Sequence, residues 1–536
     1  MKTKKLSIYV MSILLLAALV SSCTEEQISH NKAGYKPDCE TVVEEEVISP
    51  GCSSASAGKV RYEPTWESLM KHNATPKWYQ DAVLGFYFHW GPYSVPGFSC
   101  SGYWRMYQKG DRAYKLVKEK YGEPGIEFGY KDFVPLWKAP NYDPDEWARL
   151  FKYAGADFAG PGAEHHDGFA LWDTDYDEWN SMDMGPGIDI VGTLVEACRK
   201  QGLKTCIALH NWRTYITYDT GRRLCPKGVD VNDPKYTGLY GPIHEPTHQK
   251  PINNKYPGAD WPYSHWDERL NKWKELVDKY QFDLAWWEHM DSGNPPDTLK
   301  RQMLAYYFNA ADRWGKEVVV TSKKLWENRR QDLPPQISPL NLEIGFLPNP
   351  RPQKWQTDIP LGRSWAYTPR VGCKDLDEII EIIVDNVSKN GLALFSVAPK
   401  PDGSLPQEQV EGLKKLGDWM AINKEALHAT VPAPFDKSGT FLSEYGSMRF
   451  TRKKEYLYVI DLEEPKAPLT IPHVRPLHGS EIKMLGSDKP LKWHVVLEDE
   501  DDEYESEGDL VIEDVPDPLP CDYAWSFKIQ ILDKCW

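Results

Sequence analysis

Apolar runs and amphipathic stretches alternate along the middle of the chain. Residues 83–88 form an apolar run typical of a buried strand. Asp143 and Pro144 then indicate a helix start, Gly155 indicates its end, and residues 157–162 give a second short strand. The same order of helix and strand recurs at 190–201 and 203–209, 268–279 and 282–287, 299–314 and 318–320, and 376–389 and 392–397. Strands that alternate with helices of about 10–15 residues build parallel sheets, so residues 61–430 are predicted to form an α/β fold, a TIM-like (β/α)8 barrel.

The pattern changes in the last hundred residues. Proline becomes frequent, and short runs such as 456–460 and 524–531 alternate apolar and polar side chains or are continuously apolar. Runs of this kind, separated by turn residues, are typical of short antiparallel strands. Residues 431–536 are therefore predicted to form a C-terminal β-sandwich.

The N-terminus has the pattern of a targeting signal. Lys2, Lys4 and Lys5 precede an apolar stretch at 6–20, which is too short to span a bilayer comfortably. The stretch ends in Val-Ser-Ser followed by Cys23, which resembles the cleavage site of a bacterial lipoprotein. We predict a lipoprotein signal peptide at 1–22, lipidation of Cys23, and a polar tether at 23–60. The chain would then sit in the periplasm or at the cell surface, attached to the outer membrane only through its lipid. An ordinary signal peptide with a chance cysteine is the alternative.

Composition narrows the class of protein. A chain of 536 residues exceeds the size of one core, so at least two domains are expected. Its 41% hydrophobic and 26% charged residues are ordinary for a globular protein. The net charge of −16 argues against a nucleic-acid partner. Aromatic residues make up 12%, which fits either large cores or flat surfaces for stacking sugars. The ten cysteines include no C-x-x-C pair, and any disulfide connectivity is unreadable.

Polar and ionisable residues follow the predicted barrel strands one after another. They are His89, then Glu164 with His165 and His166, then His210, Glu288 and Lys323. Barrels of this type place their active sites at the C-terminal ends of their strands. One such histidine would be unremarkable in a core or loop, but five strand ends in succession indicate a functional mouth.

The chemistry at this mouth suits the hydrolysis of a glycosidic bond, which needs two carboxyl groups. Glu288 leaves a strongly apolar strand, so we expect it to point into the mouth beside tryptophan. Glu343 is a weaker candidate, because a lone loop glutamate is usually just solvated. Residues 244–248 also fit the zinc-protease pattern H-E-x-x-H, but Pro246 prevents the helix which that chemistry requires. No metal site is predicted.

Five motifs, in order, resemble the family 29 α-L-fucosidases. They are the stretches HWGPYSVP at 89–96, HHDGF at 165–169 with LWD at 171–173, DIVG at 189–192, VSKNG at 387–391, and PKPDG at 399–403. The similarity covers residues 65 to 430. It implies a barrel followed by a β-sandwich, a carbohydrate substrate, and a retaining mechanism without a cofactor.

The resemblance also suggests roles for individual residues. Glu288 occupies the position of the nucleophile, where the family has aspartate, and Glu343 lies near the position of many members' acid/base. His89, His165 and His166 would bond sugar hydroxyls, and Trp287 and Trp365 would pack on apolar sugar faces. Two more substrate-binding candidates replace other family residues: Lys323 an arginine and Glu164 a lysine. Further departures are Gln356 for a glutamate and the absence of a glutamate before Tyr103 and Trp104.

These substitutions leave several outcomes open. The leading expectation is an exo-acting α-L-fucosidase-like enzyme. The alternatives are a glycosidase for a modified or galacto-configured sugar, and a glycan-binding pseudoenzyme on the same fold. A retaining mechanism would place the carboxyls of Glu288 and Glu343 about 5–5.5 Å apart. Glu164 is expected either to bond a sugar hydroxyl and raise the pKa of His165, or to pair with a lysine or arginine outside the pocket.

Overall fold

The computed structural model describes residues 61–245, 263–288, 295–324, 333–433, 444–497 and 508–531. All of them belong to one compact unit that spans Gly58–Trp536. None of the helices in these ranges combines the length and the apolar character that a membrane crossing needs. The predicted signal peptide, the lipidation site Cys23 and the tether at 23–60 lie outside the described residues.

A closed parallel barrel forms the larger part of the unit, as predicted. Its strands are β1 (Leu84–Phe88), β2 (Phe158–Ala159), β3 (Gly162–Glu164), β4 (Lys204–Leu209), β5 (Leu284–Trp287), β6 (Val319–Lys324), β7 (Leu340–Glu343), β8 (Trp355–Pro360) and β9 (Gly391–Val397). From β4 to β9 each strand pairs with the next in parallel, and β1 closes the barrel between β9 and β2. Strands β2 and β3 both pair with β4, so they are the two halves of one interrupted strand. Counted in this way, the described residues form an eight-stranded barrel.

The interruption between β2 and β3 has a steric cause. At Gly160, a side-chain Cβ would lie 1.8 Å from the backbone carbonyl oxygen of Cys206 on β4. Only glycine permits so close an approach of two strands. The following Pro161 has no N–H to donate, so the regular ladder stops and resumes at Gly162.

Helices surround the barrel, and five of the thirteen in the described residues lie where the sequence predicts a helix. They are α1 (Trp66–Leu69), α2 (Lys77–Asp81), α3 (Gly102–Arg105), α4 (Arg112–Tyr121), α5 (Pro144–Tyr153), α6 (Ile190–Lys200), α7 (Thr214–Thr217), α8 (Asp219–Leu224), α9 (Thr237–Tyr240), α10 (Tyr263–Tyr280), α11 (Asp297–Trp314), α12 (Leu376–Ser388) and α13 (Gln407–Asn423). Asp143 caps α5 by accepting a hydrogen bond from the N–H of Glu146, and Asp189 caps α6 in the same way through Gly192. Side-chain caps of this type satisfy N–H groups that have no partner inside the helix.

The two faces of each barrel strand belong to different parts of the core. On β5, Leu284 and Trp286 face the cluster inside the barrel, whereas Ala285 and Trp287 face the larger cluster between strands and helices. This alternation follows from the two-residue period of a strand. It also determines which side chains can reach the mouth of the barrel.

Two antiparallel sheets follow the barrel in the chain, in agreement with the predicted sandwich. Their strands are β10 (Val431–Pro432), β11 (Glu444–Tyr445), β12 (Met448–Lys453), β13 (Tyr456–Asp461), β14 (Leu469–Ile471), β15 (Lys483–Met484), β16 (Trp493–Leu497), β17 (Gly508–Ile512) and β18 (Trp525–Gln530). The strand order is β10-β12-β13-β18-β15 in one sheet and β14-β17-β16 in the other. Side chains from both sheets share one apolar core. The indole N–H of Trp419 on α13 donates to the carbonyl of Ala524, 2.9 Å away, which ties this part to the barrel.

Candidate active site

A cavity of about 460 Å³ lies at the C-terminal ends of the barrel strands. Most of the polar residues singled out at strand ends meet there, although they come from distant parts of the chain. The cavity is lined by Tyr87, His89, Cys100, Ser101, Tyr103, Trp104, His165, His166, His210, Arg213, Trp286, Glu288, Lys323, Glu343, Asp358 and Trp365. Its size and mixed polar and aromatic lining suit a small polar ligand such as a monosaccharide.

Glu288 and Glu343 meet at a single lysine. The Nζ of Lys323 lies 3.0 Å from Oε1 of Glu288 and 3.0 Å from Oε2 of Glu343. The two carboxylate oxygens are therefore at most about 6 Å apart, a limit that accommodates the separation expected of a retaining glycosidase. The structure thus brings together the predicted pair, with Lys323 between its members.

Lys323 is almost completely buried, with 1% of its side chain exposed. Burial by itself would lower its pKa, but the charges of Glu288, Glu343 and Asp358 outweigh burial and raise the pKa above its usual value. Lys323 is consequently a permanent cation. It supplies the positive charge that lets several carboxyl groups share one buried site.

The three predicted histidines all line the cavity, and each has a protein partner. The ring nitrogen Nδ1 of His89 lies 2.8 Å from the hydroxyl of Ser396, and Nδ1 of His165 lies 3.0 Å from the hydroxyl of Tyr103. Partners on one side fix the ring and leave the other nitrogen for a ligand. Burial lowers the pKa of His89 to about 3 and holds the pKa of His165 well below its usual value. Both rings are therefore neutral near pH 7.

His166 stands between a cation and the predicted nucleophile. The guanidinium of Arg213 donates to its Nε2 over 2.8 Å, and Oε2 of Glu288 lies 3.2 Å from the same nitrogen. Oε1 of Glu288 accepts a 3.0 Å hydrogen bond from Nζ of Lys323, and this bond holds the carboxylate. Such fixation orients the group before any substrate enters.

His210 also lies in the site. The sequence analysis placed it at a strand end but gave it no role in substrate binding or catalysis. Its ring packs 4.5 Å from Trp286 and 4.9 Å from His165, measured between ring centroids. Within the described part of the chain, neither of its nitrogens has a hydrogen-bond partner, although the residue is 1% exposed. Its Nε2 lies 3.8 Å from Oε2 of Glu288, beyond hydrogen-bond distance, so this buried ring is set up to bond a group that enters the cavity.

Asp358 on β8 is a second unassigned residue, and the sequence carried no clear signal for it. Its Oδ1 accepts a 2.6 Å hydrogen bond from the side-chain amide of Asn341. Burial raises the pKa of Asp358 to about 7, because the opposing effect of Lys323 is smaller than the cost of burying the charge. The pocket therefore contains a carboxyl group that is partly protonated at neutral pH.

The structure corrects the predicted role of Trp287. This side chain is fully buried among Trp212 and Trp273, on the helix side of β5 and outside the cavity. Trp286 faces the cavity instead, because residues two apart on a strand share a face and Trp286 is two residues before Glu288. Trp365 does line the cavity, as predicted, with its ring centroid 5.5 Å from that of His89.

The structure also corrects the proposed pocket role of Glu164. Its carboxylate is 1% exposed and turns away from the cavity. It accepts a 2.6 Å hydrogen bond from Arg269 and a 3.1 Å bond from the amide of Asn211, and Lys272 lies 3.7 Å away. The alternative expectation, a pair with a basic residue outside the pocket, is the one that holds. The expected rise in the pKa of His165 was wrong, since burial and the neighbouring histidines lower it.

Two sets of donors in the cavity could hold a metal ion. One consists of His165, His210 and Glu288, and the other of His89, Cys100 and His165, with all donor atoms of a set within 4.8 Å of one another. Glycoside hydrolysis by two carboxyl groups does not call on a metal. Burial raises the pKa of the Cys100 thiol to about 12, so without a bound metal ion it is a neutral thiol at neutral pH.

Comparison with known proteins agrees with the motifs. The model of the Alpha-L-fucosidase family matches residues 51–425. An alpha-L-fucosidase of Branchiostoma floridae is 26% identical over 88% of this chain and 96% of its own length. The tissue alpha-L-fucosidase of Bos taurus is 29% identical over 88% of this chain and 91% of its own. The crystal structure of Thermotoga maritima alpha-fucosidase in complex with fucose superimposes with a TM-score of 0.63 at 27% identity, covering 88% of this chain and 100% of that one. With a family match over most of its length, this chain belongs to the alpha-L-fucosidase family.

Proposed function

We propose that this protein is an exo-acting glycosidase that removes terminal α-L-fucosyl residues, or a closely related sugar, from glycans with retention of configuration. The observation that carries the proposal is the meeting of Glu288 and Glu343 at Lys323, each at 3.0 Å, in the wall of a sugar-sized cavity. The names of the relatives support the choice of sugar.

Glu288 is the nucleophile in this scheme. Its carboxylate attacks the anomeric carbon, and the bond to the leaving oxygen breaks as a glycosyl ester forms. The glutamate is one methylene longer than the family's aspartate, which would displace an unsupported carboxylate by about 1 Å and cost about two decades in rate. Here Nζ of Lys323 donates to Oε1 over 3.0 Å, which holds the longer side chain in place.

Glu343 is the acid/base. It gives its proton to the leaving oxygen, then takes one from the water that cleaves the ester. Its side chain is 28% exposed, which places it where the rest of the glycan must leave and where water must enter. Asp358 also carries a proton near neutral pH, but it is fully buried and bonded to Asn341, so it is less suited to protonating a departing glycan.

The remaining lining residues bind the sugar. His89, His165 and His210 present neutral ring nitrogens to hydroxyl groups, and Trp286 and Trp365 offer aromatic faces to its apolar side. His210 gains most from a bound hydroxyl, because its nitrogens have no other hydrogen-bond partner among the described residues.

The test uses p-nitrophenyl α-L-fucoside with the wild type, Glu288→Gln and Glu343→Gln. We expect Glu288→Gln to abolish turnover and Glu343→Gln to slow it by about 100- to 10,000-fold. Azide should then restore activity to alanine variants at the two positions, with inverted product from position 288 and retained product from position 343.

Other outcomes identify the alternatives. Full turnover by Glu288→Gln would overturn the assignment of the nucleophile. Turnover of a different aryl glycoside in a panel, but not of the fucoside, would indicate a modified or galacto-configured sugar. Fucose binding by calorimetry without turnover of any aryl glycoside would identify a glycan-binding pseudoenzyme.

We also propose that the mature chain begins at a lipidated Cys23 and is anchored to the outer membrane, facing the periplasm or the cell exterior. The basic, apolar and small residues before Cys23 support this. Metabolic labelling with a fatty acid, followed by membrane fractionation, tests it against a Cys23→Ser variant. Equal labelling of both chains would refute it.

A further inference from the structure

A second cavity of about 350 Å³ opens beside the first. It lies between the segment after β1, residues 97–113, and the segment after β8, residues 368–370. Ser101 lines both cavities. The two cavities are therefore adjacent at Ser101.

The two segments that form this second cavity are fixed to each other. The backbone N–H of Ser99 donates to the carbonyl of Tyr367 over 3.1 Å, and the hydroxyl of Ser364 donates to that of Ser99 over 2.7 Å. Gly97 has φ +67°, and a Cβ there would lie 3.1 Å from the ring of Pro369. The cavity is thus preformed, and filling it would not require the segments to assemble first.

Positive charge dominates its lining, which contains Arg105, Arg112 and Arg370 but one carboxylate, Asp111. Asp111 is fully engaged: it accepts from Nε of Arg105 over 2.9 Å and from the N–H of Ala113 over 2.8 Å. Arg112 and Arg370 have no carboxylate partner within the described residues. Both side chains are exposed, so their charges face whatever occupies the cavity.

We infer that this cavity is a subsite for an anionic substituent, a sulfate ester or a carboxylate, on the glycan next to the sugar that is cleaved. Guanidinium groups match both anions geometrically and hold them with charge-assisted hydrogen bonds. Arg112 and Arg370 supply the charge, and the hydroxyls of Ser101 and Thr368 supply further donors. This inference rests on the proposed glycosidase function, because it assigns a substrate class to the same site.

The experiment compares three fucosyl oligosaccharides that differ only in the unit next to the fucose: a sulfated unit, a uronic acid, and the neutral sugar. We expect kcat/KM of the wild type to be about tenfold higher on one of the anionic substrates than on the neutral one. The arm that shows the preference identifies the anion. Raising the salt to about 0.5 M shortens the screening length to about 4 Å and should remove most of the preference.

Variants separate the subsite from the reaction itself. Arg112→Gln with Arg370→Gln should lower the anionic-to-neutral ratio of kcat/KM at least fivefold. The matched control is Arg149→Gln on α5 with Arg313→Gln on α11, which removes two exposed charges outside the lining of both cavities and should leave the ratio as it is. Equal kcat/KM on all three substrates in the wild type, or an unchanged ratio in the double variant, would overturn the inference. Turnover of p-nitrophenyl α-L-fucoside in the same preparations reports on the proposed function separately.

Discussion

Replacing Lys323 by methionine removes the buried cation that the carboxylates of Glu288 and Glu343 share, each 3.0 Å away. Taking one partner from a buried ion pair costs about 3–5 kcal/mol of folding free energy, because the other charge is left unpaired. The variant also loses the main charge that opposes the burial effect on Asp358, whose pKa is already about 7. The pKa of Asp358 should therefore rise further, and Lys323→Met should be much less stable than the wild type.

The pH dependence of this loss follows from the sign of the shift. A carboxyl group whose folded-state pKa is raised destabilises the fold above its unfolded pKa, and protonation relieves the penalty as the pH falls. The stability deficit of Lys323→Met should thus be largest at about pH 8 and shrink towards about pH 4. Urea denaturation at both values measures it, and Lys120→Met, an exposed change on α4, is the control. Equal deficits at the two pH values, or a wild-type unfolding midpoint with wild-type kcat, would refute the role given to Lys323.

Three further substitutions follow from the same contacts. Glu164→Gln should cost about 3–5 kcal/mol of folding free energy, because Arg269 loses its buried partner. The KM for the aryl fucoside should change less than about twofold. A tenfold rise in KM would show that Glu164 does contribute to substrate binding. Asp358→Asn should stabilise the protein by about 1–4 kcal/mol at about pH 8 and far less at about pH 4. The reason is that Asp358 has a pKa of about 7, so its ionisation at the higher pH penalises the folded state. The midpoints of urea denaturation at the two pH values test this difference. His210→Phe keeps the packing on Trp286 but removes both ring nitrogens. The KM should therefore rise about tenfold, which corresponds to about 1.4 kcal/mol, without a fall in the melting temperature. An unchanged KM would mean that His210 bonds no substrate hydroxyl.

The barrel could be predicted because most of its strands follow helices with clear periodicity. The sequence analysis did not predict β7 and β8. These two strands follow β6 without a regular helix among the described residues between them. The six residues of β8 are all buried, yet they include Gln356, Thr357 and Asp358. A search for apolar runs does not find a strand of this kind, because its buried side chains are polar and form hydrogen bonds with neighbouring strands. The side-chain amide of Gln356, for example, donates to Asn341 over 2.7 Å.

The site could be predicted only as far as strand ends determine it. His89, His165, His166 and Glu288 follow their strands directly, Lys323 is the last residue but one of β6, and all five line the cavity. Strand ends alone do not predict whether a side chain faces the cavity or the surrounding helices. The register shifts between Gly162 and Glu164 in the pairing of β3 with β4, and Glu164 faces away from the cavity. Its partners Arg269 and Lys272 are three residues apart on α10, a helix whose position against β3 no local pattern reveals.

The departures from the family pattern form one connected set rather than separate substitutions. Glu288 stands where the family has aspartate and Lys323 where it has arginine, and the two form an ion pair. Gln356 stands where the family has glutamate, and its amide bonds Asn341, which in turn bonds Asp358. A carboxylate at position 356 would add a further negative charge to a buried site in which Glu288, Glu343 and Asp358 already surround one lysine. A neutral amide there keeps the hydrogen bonds without that charge, so Glu288, Lys323 and the neutral Gln356 compensate for one another's charges within one buried site.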